Sequence, residues 1–223
     1  MQCARYVRVV TSHVHQPSGP WLTDAVASVE RCITRLFDDF VRDPFTHRVE
    51  HSLHLDLYHL LRNEVPLQGM KRIGDSPYRT RLVHKEWPSI TPVALRGTAE
   101  RRQSYDIAVL DPQAVRDASL DRFIHGRIDA AIAIELGLDY SLDHLQGDLR
   151  KLTTNPVSHR YVVHFSRKRS RLTDRIEELV THDSDVRVAF MHLDADLQTF
   201  RKKGLNDRDI TDGRYQPSDP TSS

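Results

Sequence analysis

At 223 residues, with 32 Lys and Arg against 31 Asp and Glu, the chain is long enough for one substantial core and carries no overall field that would draw in a nucleic acid or a membrane surface. An anionic partner therefore has to be met by local patches. Cys3 and Cys32 make neither a disulfide framework nor a CxxC pair, and no apolar run reaches membrane-spanning length, so the expectation is a cytoplasmic protein in a reducing compartment with no membrane partner.

Residues 1–20 mix the apolar run Tyr6–Val10 with His13, His15, Pro17, Gly19 and Pro20 and read as an N-terminal arm or a short edge strand. With Thr23 as N-cap, Val26, Val29, Ile33, Leu36, Phe37 and Phe40 recur on one helical face. This helix should end before Asp43-Pro44, where Asp caps and Pro opens a second helix. Its stripe is Val49, Leu53, Leu57, Leu60 and Leu61, with Glu50 and His54 one turn apart along the margin.

Pro66, Gly69, Gly74 and Pro77 mark a loop. Strands are expected at Arg81–Trp87, at Tyr105–Leu110 and at Ala130–Leu136. A short helix around Val115–Phe123 lies between the last two, broken by Gly126. The period over Ser141–Thr153 predicts a helix that turns Leu142, Leu145, Leu149 and Leu152 inward and groups His144, Asp148 and Lys151 on a neighbouring face. A strand at Arg160–Phe165, an amphipathic helix at Leu172–Val180 and a strand at Val186–Met191 follow. Residues beyond Phe200 are polar and without apolar period, which predicts a single domain over 1–200 and a disordered tail over 201–223. Three strands that can pair antiparallel, then strands alternating with helices, give an α/β fold with a mixed central sheet flanked by helices.

Two of these strands carry a carboxylate, Asp106 in Tyr105-Asp106-Ile107-Ala108-Val109 and Glu135 in Ala133-Ile134-Glu135-Leu136-Gly137. An ionised acid in an apolar strand costs several kcal/mol, of order 1–5, unless cations or donors compensate. One such acid alone reads as a strand-end residue facing water; two together point to a metal site. By strand alternation Asp106 shares its face with Ala108, and Glu135 with Ala131, Ala133 and Gly137. These small residues would let a helix bearing Glu50 approach, although ordinary close packing predicts the same alanines.

A helix with Glu50, a strand with Asp106, a strand with Glu135 and then a helix resemble the core of the PD-(D/E)XK, or restriction-endonuclease-like, nuclease superfamily. The resemblance spans roughly residues 43–191 and rests more on the order of elements than on its short motif. It implies an αβββαβ core and a metal-dependent nuclease that hydrolyses DNA, with RNA as the other substrate. Mg²⁺ or Mn²⁺ would be held by Asp106, Glu135 and the main-chain carbonyl of Leu136, with Glu50 assisting. The family pattern places a lysine where this chain has Gly137. Lys151, on the following helix, is the candidate for that role, and Lys85, beside Glu86, is the second. The catalytic set implied is Glu50, Asp106, Glu135 and Lys151.

Arg167-Lys168-Arg169, Arg101, Arg102 and His144 are the candidates for phosphate contacts, a solvated basic loop being the plainer reading. The 13 histidines form no HExxH and are accompanied by no cysteine, so zinc is not indicated. No Gly-rich phosphate loop, Gly-x-Ser-x-Gly elbow or dinucleotide fingerprint occurs. Gly137 keeps an alternative open, a catalytically inactive nuclease-fold protein that binds nucleic acid, a partner protein or a second copy of itself. A third is a structural subunit whose acids form buried ion pairs.

Overall fold

The computed structural model describes residues 19–91, 102–168, 173–176, 178, 185–194, 199–205, 207 and 209–214. Of the arm expected over 1–20, residues 1–18 lie outside the described residues, as do Arg101 and Arg169, while Gly19 and Pro20 open the first helix instead. Helix α1 spans Pro20–Arg42, with Gly19 at the N-cap position and Pro20 in its first turn. The expected Thr23 cap is therefore wrong by about one turn, since proline with its preset φ starts the helix earlier. Its apolar face buries Leu22, Val29, Ile33, Leu36, Phe37 and Phe40. The last two pack on Phe165 with ring centroids 5.0 and 4.7 Å apart.

Helix α2 is Glu50–Asn63 and does not begin at Asp43-Pro44, because residues 43–49 form turns and bends instead. Its Leu53, Leu57 and Leu61 are buried, and it packs on α1 and on the first three strands of the main sheet. Strands β1 (Lys71–Arg72) and β2 (Arg79–Thr80) make a small hairpin. Then come β3 (Val83–Pro88), β4 (Ser104–Leu110), the short helices α3 (Pro112–Asp117) and α4 (Leu120–Ile124), β5 (Ala130–Leu138), α5 (Leu142–Thr154), β6 (His159–Ser166) and β7 (Val186–Leu193). Residues 173–176 and 178 are helical, within the helix expected at 172–180.

The main sheet has the order β3-β4-β5-β6-β7, continued by β8 (Thr199–Lys203) and β9 (Thr211–Arg214). It is antiparallel from β3 to β5, parallel from β5 to β7 and antiparallel again at β8 and β9. The protein is thus mixed α/β with a mixed sheet flanked by helices. All nine residues of β5 are buried, as expected of a central strand covered on both faces. Glu135 pairs with Val162 in register, so the sheet face bearing Glu135 alternates with the one that carries Tyr161 and Phe165 under α1. Helix α5 covers the Glu135 side and touches β5, β6 and β7. Among the described residues no helix is long and apolar enough to cross a membrane.

The disordered tail expected from residue 201 is not what the structure has. Strands β8 (Thr199–Lys203) and β9 (Thr211–Arg214) extend the sheet beyond β7, while 215–223 lie outside the described residues. The segment is polar because both of its strands are only partly covered. It is held by backbone pairing and by a few apolar anchors, Phe200, Leu205 and Ile210, against the core. A Cβ on Gly213 would lie 2.4 Å from the Phe200 ring, so glycine there lets the ring lie across its partner strand.

On β6 and β7, His164 and His192 are buried with His164 Nδ1 and His192 Nε2 3.2 Å apart. Burial, against weaker opposition from Asp139 and Glu50, pushes the His164 imidazole down to about 4. The unfolded chain takes up this proton first, so stability should fall as pH drops through the window from about 6.5 to about 4. At 1.36 kcal/mol per pH unit the loss is about 3 kcal/mol. Urea unfolding at pH 7 and pH 4 should show that excess loss in the wild type and not in His164→Asn. A chain ended after Asp194 should melt several degrees lower than the full chain, at roughly 2–4 °C per kcal/mol for this size; an unchanged melting temperature would mean that β8 and β9 add nothing.

Candidate functional site

The site begins where β4 and β5 part. The last paired residues of these two strands are Ile107 and Ile134, while β5 goes on pairing with β6 as far as Leu138. Beyond the fork the amide of Leu136 has no β4 carbonyl opposite, and it donates instead to Asp106 Oδ2 at 2.8 Å. The Asp106 side chain thus replaces a missing ladder bond, which explains how a carboxylate is tolerated there. Glu135, the next residue on β5, is 1 % exposed.

Lys151 of α5 reaches both strands at the fork. Its Nζ donates to Glu135 Oε2 at 2.7 Å and to the Ser104 carbonyl of β4 at 2.8 Å, and lies 3.3 Å from Asp148 Oδ1 one turn earlier on the helix. Leu145 and Leu152, both buried, seat the helix so that Asp148 and Lys151 also face inward. The structure therefore brings Lys151 to Glu135, and Lys151 is 8 % exposed. Lys85, the second candidate, acts on His54 electrostatically from β3.

Glycine at position 137 has a steric cause. A Cβ there would lie 2.5 and 2.7 Å from atoms of the Tyr140 ring and 2.8 Å from His164. The tyrosine ring fills the space that a side chain at 137 would need. Its hydroxyl donates to the Leu136 carbonyl at 2.5 Å, and its ring stacks on His144 at 4.4 Å. Burial, then the charges of Asp148, Asp106, Glu50 and Glu135, raise the tyrosine hydroxyl far above its ordinary value. It stays protonated amid four carboxylates.

From α2, Glu50 Oε1 is 3.4 Å from His54 Nε2, which is 3.7 Å from Asp106 Oδ2. Burial opposes both charges, yet mutual attraction wins: the Glu50 carboxyl is lowered, chiefly through His54, and the His54 imidazole is raised by Glu50 and Asp106. Glu86 joins from β3. It has φ 54, a left-handed backbone that non-glycine residues rarely adopt, and its place in the β3–β4 ladder is skipped between Lys85↔Ile107 and Trp87↔Tyr105. Ligand atoms of His54, Glu86 and Asp106 all lie within 4.8 Å of one another.

The charge balance favours a cation. Burial and then Asp106 raise the Glu135 carboxyl well above its usual range, with Lys151 opposing. Burial likewise raises Asp148. The Lys151 ammonium would be lowered by burial, but Glu135, Asp148 and Asp106 outweigh that and raise it. Glu135 Oε1 and Asp148 Oδ2 are buried with no hydrogen-bond partner among the described residues. Two buried, unsatisfied carboxylate oxygens at one fork fit a hard divalent cation.

The proposed phosphate contacts are placed differently. Arg102 donates to the carbonyls of Ser89 and His125 at 2.6 Å each and to that of Gly126, closing loops rather than facing a ligand. Arg167 pairs with Asp139 at 2.6 Å and donates to the His47 carbonyl at 3.0 Å. Lys168 is exposed, and His144 lines a cavity of about 390 Å³ beside Lys151, together with Glu86, Arg102, Gly147 and Asp148. His54, Glu86, Asp148 and Tyr140 are site residues absent from the sequence-derived set. The i, i+4 spacing Glu50–His54 and the i, i+3 spacing Asp148–Lys151 carry a signal for two of them; nothing local marks Glu86 or Tyr140.

No protein-family model, curated protein or solved structure matches this chain.

The buried pair changes what substitution of the lysine should do. Its place beside the apolar stripe suggests that Lys151→Ala is harmless to the fold. With Glu135 left buried and unpaired, the loss should instead approach ~3–5 kcal/mol. Because Glu135 already inclines toward the protonated form, the destabilisation measured by urea unfolding should be smaller at pH 5 than at pH 8. Glu135→Gln/Lys151→Met should recover part of it; equal loss at both pH values would show that the pair is not ionised.

Proposed function

We propose that the chain is a Mg²⁺- or Mn²⁺-dependent nuclease, hydrolysing phosphodiester bonds of DNA or RNA on a restriction-endonuclease-like αβββαβ core. The single observation that carries this reading is the meeting of Lys151 and Glu135 at the fork, with Glu135 Oε1 and Asp148 Oδ2 left unsatisfied beside Asp106. It supports the reading because it combines, in one buried place, carboxylate oxygens for a hard cation and a fixed ammonium for phosphate charge.

Asp106, Glu135 and the Leu136 carbonyl would hold the ion, with Glu50 nearby. A divalent cation bound there supplies Lewis-acid stabilisation of charge on the phosphate oxygens. Lys151 keeps its proton among three acids, so its part is to stabilise charge and not to accept a proton. Of its three contacts, the 3.3 Å one to Asp148 is the longest, and is the one a phosphate oxygen can replace. Tyr140, also protonated, can donate but not act as a base at neutral pH. Ser104 holds the lysine through its main chain, so the position of the charge depends on β4 and not on a rotamer alone.

A second reading, a catalytically inactive nuclease-fold protein that binds nucleic acid, a partner protein or a second copy, is favoured by one observation. Arg102 and Arg167 are held by internal partners, and the cavity beside Lys151 presents Glu86, Asp143 and Asp148.

Purified protein incubated with duplex DNA, single-stranded DNA and RNA should cleave at least one of them in Mg²⁺ or Mn²⁺ and none in EDTA. Asp106→Asn should abolish cleavage. Lys151→Gln, checked for folding by its melting curve, should reduce it by ~10²–10³-fold. Absence of metal-stimulated cleavage on all three substrates rejects the nuclease reading, and retained binding to one of them then supports the inactive form.

A further inference from the structure

We infer that the cavity beside Lys151 seats one unstacked nucleobase, guanine above the others, with the open face of the His144 ring as its stacking surface. The inference deepens the nuclease reading and rests on it for the substrate, because a base can enter so small a space only from a single strand or when flipped out of a duplex. At about 390 Å³ the cavity is near the lower end of small-ligand pockets, ~300–1,000 Å³, and is too small to admit a duplex.

One stripe of α5 makes a wall of it. His144, Gly147, Asp148 and Lys151 follow the i, i+3, i+4, i+7 spacing of one helical face, and all four line the cavity. The His144 ring lies on the Tyr140 ring, with centroids 4.4 Å apart and planes 14° from parallel, and Tyr140 is anchored through its hydroxyl to the Leu136 carbonyl. His144 is exposed, so with one face on Tyr140 its other face is open to a further ring. Stacking on a fixed aromatic plane is how unpaired bases are held. Gly147 is the independent observation. It sits within the helix, where glycine is unfavourable beside alanine, yet a Cβ there would meet nothing within 4 Å. Packing does not require this glycine; what it does is leave the space between His144 and Lys151 open.

The walls select a neutral, planar group rich in hydrogen-bond donors. Glu86, Asp143 and Asp148 would repel a phosphate in this space, and Arg102 is held by three backbone carbonyls. Gln103, just before β4, lines the cavity, and its Oε1 is buried with no hydrogen-bond partner among the described residues. An acceptor in that state, beside carboxylates that can only accept, calls for N–H groups. Guanine offers its N1–H and N2–H side by side on one edge, adenine and cytosine one amino group each, and uracil or thymine a single N–H between two carbonyls. A guanidinium from a protein partner would bring as many donors, but its charge would stand against Arg102 and Lys151 on the same walls. Lys151 also joins the cavity to Glu135, so a base seated here lies next to the phosphate that the nuclease reading brings to the fork.

Uncharged nucleosides need neither a metal nor cleavage, so the pocket is tested on the full chain in EDTA by saturation-transfer NMR with guanosine, adenosine, cytidine and uridine. Guanosine should bind about 10-fold or more tightly than uridine, the discrimination expected of a well-placed pair of base-edge hydrogen bonds. His144→Ala should weaken guanosine binding by about 5- to 150-fold, the loss of one stacked base. Gly147→Leu should abolish it without lowering the melting temperature, since the new side chain enters open space and leucine favours the helix. Gln103→Leu should remove most of the preference for guanosine. Absence of saturable nucleoside binding overturns the pocket, as does binding that Gly147→Leu leaves unchanged. Argininamide binding more tightly than guanosine also overturns it and marks a seat for a basic side chain. In Mn²⁺, single-stranded oligonucleotides should be cut beside guanine, more slowly by Gly147→Leu. Guanosine binding without cleavage of any nucleic acid supports the pocket and rejects the nuclease reading alone, whereas metal-dependent cleavage that Gly147→Leu does not slow overturns the pocket and leaves that reading intact.

Discussion

Much of this structure depends on the buried contact between Lys151 and Glu135. It joins α5 to the central strand, and through the Ser104 carbonyl it also holds the start of β4. A lone carboxylate at 1 % exposure on β5 would be intolerable as an anion, and a lone ammonium on the inner face of α5 equally so. Each is acceptable because the other is there. The pair also sets the approach of the helix to the sheet, and Leu145 and Leu152 fill the space on either side of that contact. Glycine at 137 fits the same geometry. At position 137 the Tyr140 ring takes the volume that a side chain would need, and its hydroxyl donates to the Leu136 carbonyl.

The fork between β4 and β5 is the second constraint. Where two strands separate, their inward amides and carbonyls lose partners, and something polar must take their place. Asp106 does so for the Leu136 amide, and the Ser104 carbonyl is met by Lys151. A similar irregularity on the other side of β4 brings in Glu86. Both neighbours of β4 thus depart from regular pairing around Asp106, and this is why acids from three strands and two helices gather at one end of the sheet.

The residues legible from sequence were those whose position follows from a period. Asp106 and Glu135 stand out because an acid in an apolar strand is conspicuous, and Lys151 because a helical period places it next to the Leu face. Glu86 was not legible as part of the cluster, since strand alternation assigns only one of Lys85 and Glu86 to the site and a skipped ladder position cancels that rule. Arg102 and Arg167 show the opposite failure. A basic side chain looks available for phosphate when read along the chain, but carbonyls of Ser89, His125, Gly126 and His47 come from distant segments and leave no local trace. Strands β8 and β9 were missed for a related reason: partly covered strands at the end of a sheet are held mainly by backbone pairing, which amino-acid composition does not encode.

The charges around the fork constrain how any phosphate-bearing ligand could enter. Glu50, Glu86, Asp106, Glu135 and Asp148 face Lys151 and His54, an excess of acid in a partly buried place. A polyanion approaching that cluster without cations meets repulsion that the low local dielectric strengthens; Arg102 lines the adjoining cavity but its donors are taken up by backbone carbonyls, and Arg167 is paired with Asp139. Cation binding therefore has to precede or accompany substrate binding in the nuclease reading. In that reading, cations held by Asp106 and Glu135 would neutralise the acids and give the phosphate its points of contact, and Lys151 would exchange its longest contact, with Asp148, for a phosphate oxygen. Under this scheme the acids that make the empty cluster repel a nucleic acid are the same groups that make the loaded cluster attract one, so affinity for substrate should be governed by cation occupancy more than by the basic residues of the surface.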